Sequence, residues 1–111
     1  MELEDSQIVP GTALVVCRGR LNMAAAPELR KYLDEVFEDG SNRLVLDLSE
    51  TSFIDSSGLG ALIGALKRAR SRGGDLRIAA PSEQVRMVLG LTNLDRVLRA
   101  HASVDEATRG W

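Results

Sequence analysis

Apolar residues along this chain fall into two alternating rhythms. Ala13-Leu14-Val15-Val16-Cys17-Arg18 is an apolar, largely β-branched run that ends at Gly19, and Arg43-Leu44-Val45-Leu46-Asp47-Leu48 has an apolar centre followed by turn formers. Asp75-Leu76-Arg77-Ile78-Ala79-Ala80 alternates polar and apolar until Pro81 stops it. These three patterns predict strands. A shorter strand is expected from Ser6 to Val9, folded back on the next through the Pro10-Gly11 turn, and another from Arg96 to Ala100. The intervening segments keep helical spacing. Pro27 suits a first helical turn, Leu29, Tyr32, Leu33, Val36 and Phe37 follow at steps of three and four, and Gly40 is the stop. After Ser56, a second helix puts Leu59, Leu62, Ile63 and Leu66 on one face and ends at Gly73-Gly74. Ser82 is placed to cap a third helix carrying Val85, Val88 and Leu89, and a short fourth is expected after Ser103. The predicted order is ββαβαβαβα. It reads as one α/β domain over residues 1–111, with an N-terminal hairpin, a mostly parallel sheet and helices packed on it.

The stretch Leu44 to Gly64 concentrates the chemistry. It starts as a buried strand, breaks into a polar loop and restarts as a helix through Asp55-Ser56-Ser57-Gly58-Leu59-Gly60. Backbone N–H groups at a helix start are unpaired and favour negative charge. A hydroxyl there is set either to cap the helix or to carry a phosphate. On the first reading Asp55 or Ser56 caps, and Gly58 and Gly60 let the helix approach the sheet. Capping stabilises by about 1 kcal/mol, so folding alone accounts for such residues. Against this, Gly58, Gly60, Ala61, Gly64 and Ala65 make much of the helix surface small, although each interior glycine costs up to roughly 1 kcal/mol relative to alanine. Either the small face packs inside the domain or it is offered to a partner.

Bulk properties narrow the classes. The chain has 111 residues, 44% hydrophobic and 27% charged, as in an ordinary globular domain. A net charge of -2 and the lack of a long basic run give no reason to expect nucleic acid. Cys17 is the only cysteine, which excludes an internal disulfide and fits a reducing cytoplasm. The acidic start MELEDSQIVPG lacks the features of a signal peptide, and no apolar run approaches the roughly 20 residues of a membrane span. A cytoplasmic protein, off the membrane, is expected. No metal or other cofactor is expected either: His101, the only histidine, has no second ligand at metal spacing. Nothing places His101 as a base beside Ser56, and the loop is neither Gly-x-Ser-x-Gly nor a Gly-x-x-x-x-Gly-Lys cradle. Catalysis is therefore the weaker reading.

The run from Val45 to Ala107, with Asp-Ser-Ser-Gly-Leu-Gly after an apolar strand, resembles the anti-sigma-factor antagonists, the bacterial branch of the STAS domain family. The resemblance implies a phosphorylation switch. A partner kinase, itself the anti-sigma factor and the holder of ATP and magnesium, phosphorylates the first hydroxyl residue after the motif's aspartate, which here is Ser56. The modified antagonist then loses the kinase, which is free to hold the sigma factor; a serine phosphatase would reset the switch. Asp55, Ser56, Ser57, Gly58, Leu59, Gly60 and Asn22 are the expected partner-binding residues. One departure stands out: where the family often carries Gly-Glu-Leu-Asp after the second strand, this chain has Gly19-Arg20-Leu21-Asn22. Asn22 retains a capping oxygen, and Arg20 is either a solvated cation or a partner for a phosphate at Ser56. The competing functions are a STAS scaffold or transporter-associated subunit that is never phosphorylated, and a nucleotide-binding protein. A monomer and a weak dimer are both compatible with the sequence.

Other residues have plainer readings. Cys17 is expected in the core, the Lys67 to Arg72 cluster at a solvated helix end, Met87 partly on a binding surface, and Trp111 loosely ordered at the terminus.

Overall fold

The computed structural model describes residues 1–111. Its strands are β1 (Glu2–Val9), β2 (Thr12–Leu21), β3 (Arg43–Asp47), β4 (Thr51–Ile54), β5 (Asp75–Ala79) and β6 (Ala100–His101). Its helices are α1 (Ala26–Glu38), α2 (Ser56–Ser71), α3 (Glu83–Leu91) and α4 (Val104–Ala107), with a 3-10 turn at Leu94–Arg96. The expected α/β architecture is present: an antiparallel β1–β2 hairpin leads into parallel strands in the order β1-β2-β3-β5-β6. Strand β2 does double duty. Its residues Thr12–Val16 pair with β3, and Gly19–Leu21 pair in parallel with β4.

Residue alternation along the strands divides the core between the two faces of the sheet. Ala13, Val15 and Cys17 of β2, Leu44 and Leu46 of β3, and Leu76 and Ile78 of β5 join Leu29, Leu33, Leu62, Leu66, Val85 and Leu89 of α1 to α3 in one cluster. Val45 and Ala79 point the other way, toward Ala107 of α4 and Trp111. Gly74 sits at a tight crossing, where an added Cβ would lie 1.8 Å from the Asn42 carbonyl oxygen.

Four details depart from expectation. Strand β4 falls in what the sequence presents as a polar loop; its polar groups are satisfied, since Thr51 Oγ1 donates to the Cys17 carbonyl at 2.9 Å and the Thr51 carbonyl accepts from Ser82 Oγ at 2.6 Å. Gly19 does not end β2. It adopts φ +109 at a register shift, a bulge that glycine permits, and the strand runs on to Leu21. The apolar stretch around Val97 and Leu98 belongs mostly to an irregular connection after the 3-10 turn, leaving only Ala100–His101 as strand. Trp111 is held, not loose: the Arg77 guanidinium lies 4.0 Å from its ring centroid, and Arg77 Nη1 donates to the Ala107 and Arg109 carbonyls at 2.9 Å each.

The basic end of α2 is largely used in internal ties. Arg68 pairs with Asp34 of α1, Arg70 Nε lies 3.2 Å from Asp75, and Arg72 donates to Asn42 and to the Phe37 carbonyl. Cys17 is fully buried, and burial first, then the charge of Asp47, pushes its thiol up to about 12. An unfolded cysteine ionises near pH 8.5. The folded protein therefore holds a proton that the unfolded chain loses across that window, so stability falls as pH rises above about 8.5. Cys17→Ala is expected to flatten the pH dependence of the melting temperature between that pH and about 12; an unchanged slope would show that Cys17 is not its source.

Candidate functional site

Strands β2 and β4 are parallel neighbours, so their C-terminal ends deliver two turns side by side. Arg20 pairs with Phe53 and Leu21 with Ile54. The chain leaves β2 into the turn Leu21–Ala25 and leaves β4 into Asp55 and the start of α2. Asn22 shapes the first turn: its Oδ1 accepts from the Ala24 and Ala25 amides, each at 3.1 Å, and its carbonyl accepts from Ala25 and Ala26. The capping bond expected from Asn22 for the next helix is not made: the N-cap of α1 is Ala25, with no side-chain cap, and the Asn22 oxygen instead closes the turn that precedes the helix.

Asp55 joins the two turns. With extended backbone it is the N-cap of α2, and its Oδ1 accepts from the Gly58 amide at 3.0 Å. Its Oδ2 accepts from the Met23 amide at 3.2 Å, and its own amide donates to the Leu21 carbonyl at 3.4 Å. Capping therefore falls to Asp55 and leaves the Ser56 hydroxyl free of it. Ser56 is the first residue of the helix and is exposed, and Ser57 is half-buried. The Ser56 and Ser57 amides belong to the unpaired first turn, where partial positive charge accumulates. Asp55→Ala is expected to cost about 1–2 kcal/mol of stability, because the Gly58 and Met23 amides both lose their acceptor. Asp55→Asn should lose less, since one oxygen remains; a urea midpoint equal to wild type for the alanine variant would refute the dual cap.

The glycines separate cleanly. At Gly58 a Cβ would meet the Leu21 carbonyl oxygen at 2.4 Å and the Ile54 and Leu21 side chains at 2.8 Å, so close packing inside the protein demands glycine there. Gly60 would meet only Arg30 Nη2 at 3.6 Å, an ordinary contact, and Gly64 would meet nothing within 4 Å. Leu59 is 7% exposed and belongs to the core. Gly58 and Leu59 thus shape the site from beneath, while Ser56 and Gly60 lie at its surface. Arg20 is exposed, with its guanidinium 4.3 Å from the Phe53 ring centroid.

Two contributors have no clear signal in the sequence. Gln84 of α3 borders β4 as a further strand would: its Oε1 accepts from the Ile54 amide at 2.9 Å and its Nε2 donates to the Ile54 carbonyl. Met23, in the turn tied to Asp55, is 75% exposed, and Met87 and Leu91 of α3 are also exposed. His101 lies apart, on β6. No group of three His, Cys, Asp or Glu side chains is arranged to hold a metal ion, and no helix is long and apolar enough to cross a membrane.

The STAS domain model matches residues 5–107. The chain belongs to the STAS domain family. A Thermotoga maritima protein, provisionally assigned as an anti-sigma factor antagonist, is 35% identical over 102 residues, covering 91% of this chain and 90% of that one. The crystal structure of a protein so described from the same organism superposes with a TM-score of 0.87, at 33% identity, covering 95% and 90% of the two chains. The anti-sigma-B factor antagonist of Staphylococcus aureus is 26% identical over 87 residues, 78% of this chain and 81% of its own. An anti-sigma factor antagonist from Mycobacterium paratuberculosis matches the fold with a TM-score of 0.83, at 26% identity, covering 96% and 89%.

Proposed function

We propose that this STAS protein is an anti-sigma factor antagonist that docks on an anti-sigma factor kinase and is released when that kinase phosphorylates Ser56. The carrying observation is the division of labour at the start of α2: Asp55 takes the cap and Ser56, exposed beside it, keeps a free hydroxyl. Names borne by relatives over most of the chain support the same reading. The kinase brings ATP and magnesium, a serine phosphatase resets Ser56, and residues 1–111 act as one cytoplasmic binding domain, not as an enzyme. The docking surface comprises Asp55, Ser56, Ser57 and Gly60, with Asn22 in the adjoining turn and Gly58 and Leu59 supporting them.

A phosphate adds about -1.5 to -2 charge at neutral pH. Within the protein the unpaired amides of the first helical turn offset it, so the fold survives. At an interface it stands next to the Asp55 carboxylate, and the partner must desolvate both.

The test combines capture and modification. Wild type, Ser56→Ala and Ser56→Asp are used as baits in native-host lysate, and wild type recovered after incubation with ATP is mapped by mass spectrometry. A kinase held by wild type and Ser56→Ala but not by Ser56→Asp, with phosphate on Ser56, supports the switch. Equal capture of one partner by all three baits, without modification, would make the protein a scaffold.

A further inference from the structure

At the far end of α2 a second feature stands clear of Ser56. Strand β6 covers only Ile78 and Ala79 of β5, so the first half of β5 borders a cleft of about 420 Å³. Arg70 closes it from the end of α2; at 1.5 Å per residue, that end lies about 20 Å from Ser56.

The cleft is cationic in a protein whose net charge is -2. Arg70, Arg77, Arg99 and Arg109 line it, against Asp75 and Glu106. The four guanidiniums are not equally available. Arg70 is paired with Asp75, and Arg77 is committed to the chain-end carbonyls and the Trp111 ring. Arg99 and Arg109 are exposed and make no ion pair, while Glu106 Oε2 accepts from the Ala102 amide at 3.2 Å. His101 also borders the cleft, so its ring reports on occupancy, but its Nε2 is shut off from solvent, without a hydrogen-bond partner, and lies out of a ligand's direct reach.

Few apolar side chains line the cleft, which argues against a hydrophobic ligand. A single carboxylate has too little charge to compete with Asp75 and Glu106 already in place. Guanidinium forks match phosphoryl oxygens well, and several acceptors on one centre can engage more than one arginine. We propose that this cleft is a second binding site, for a small anion carrying a diphosphate or larger phosphoryl group, with Arg99 and Arg109 as its principal contacts. The site is independent of Ser56 and of the switch proposed there. The volume admits free pyrophosphate and leaves space for a nucleotide's sugar.

Sodium pyrophosphate and ATP are the probes, each titrated calorimetrically into the full chain while the His101 ring resonances are followed by NMR. Saturable binding that shifts His101 and weakens with added salt is expected. Arg99→Gln/Arg109→Gln should weaken it about a hundredfold, since each charge-assisted contact contributes about tenfold. Its circular dichroism should match wild type, because both side chains are exposed; Arg99→Gln alone provides a milder readout of about tenfold. ATP binding more tightly than pyrophosphate marks a nucleotide site, and equal binding marks a free diphosphate site; both uphold the proposal. Absence of saturable binding by either probe overturns it. So does binding that survives the arginine substitutions but is lost in Ser56→Asp, which would move the ligand to the α2 start.

Discussion

Gly58→Ala is expected to lower the free energy of unfolding by about 3 kcal/mol, at the upper end of ordinary overpacking. The added methyl would sit 2.4 Å from the Leu21 carbonyl oxygen, and the same oxygen accepts from the Asp55 amide. Backbone, unlike the far end of a side chain, has no rotamer by which to withdraw. Relief would come from pushing the first turn of α2 away from β2, which also stretches the Asp55–Gly58 cap. The control is Gly64→Ala, in the middle of α2, with nothing within 4 Å of its Cβ position. That change should stabilise by up to about 1 kcal/mol through helix propensity alone. Urea titrations with equal slopes would resolve the two opposite shifts in midpoint. Matching midpoints for Gly58→Ala and wild type would mean that the close approach at Leu21 is readily relieved.

Ser56→Asp is expected to weaken binding to the partner kinase by a factor of about a thousand or more, which corresponds to about 4 kcal/mol. The new carboxylate lies next to Asp55, whose oxygens are already engaged with the Gly58 and Met23 amides. A partner surface closing over both must strip their water, and an uncompensated buried charge costs several kcal/mol. In the free protein the sign reverses. An acidic residue in the first helical turn is stabilised by about 0.3–1 kcal/mol, so the melting temperature should hold or rise slightly. Calorimetric titration against the purified kinase, alongside a thermal melt, reads both effects. Loss of affinity together with a collapsed melt would point to misfolding instead of a switched interface.

The architecture was legible where apolar periodicity is strong. Strands β2, β3 and β5 and the apolar faces of α1, α2 and α3 lie where the spacing of leucine, valine and isoleucine places them. Strand β4 was not, because it is four residues long and one of its two buried positions is Thr51, whose hydroxyl finds a carbonyl instead of water. The site was half legible. Asp55 and Ser56 stood out by their position at a strand-to-helix junction, yet only coordinates divide cap from free hydroxyl. They also separate Gly58, fixed by packing, from Gly60 and Gly64, which internal packing leaves unconstrained. Gln84 gave no sign because it pairs with the backbone of Ile54, thirty residues away, and such pairing leaves no local pattern. The holding of Trp111 leaves no local pattern for a similar reason: its partners, Arg43 and Arg77, are distant in sequence.

The long second strand has a consequence for how the protein breathes. Because β2 is bonded to β1 along one edge and to β3 and then β4 along the other, no single neighbour can peel away and free it. Its amides should be among the last to exchange with deuterium, through openings that approach the cost of complete unfolding. The turn that begins at Leu21 is rooted in that slow segment and is fastened to the α2 start through Asp55. A visiting protein would therefore meet a surface already in its final shape, with little ordering to be done on this side of the encounter.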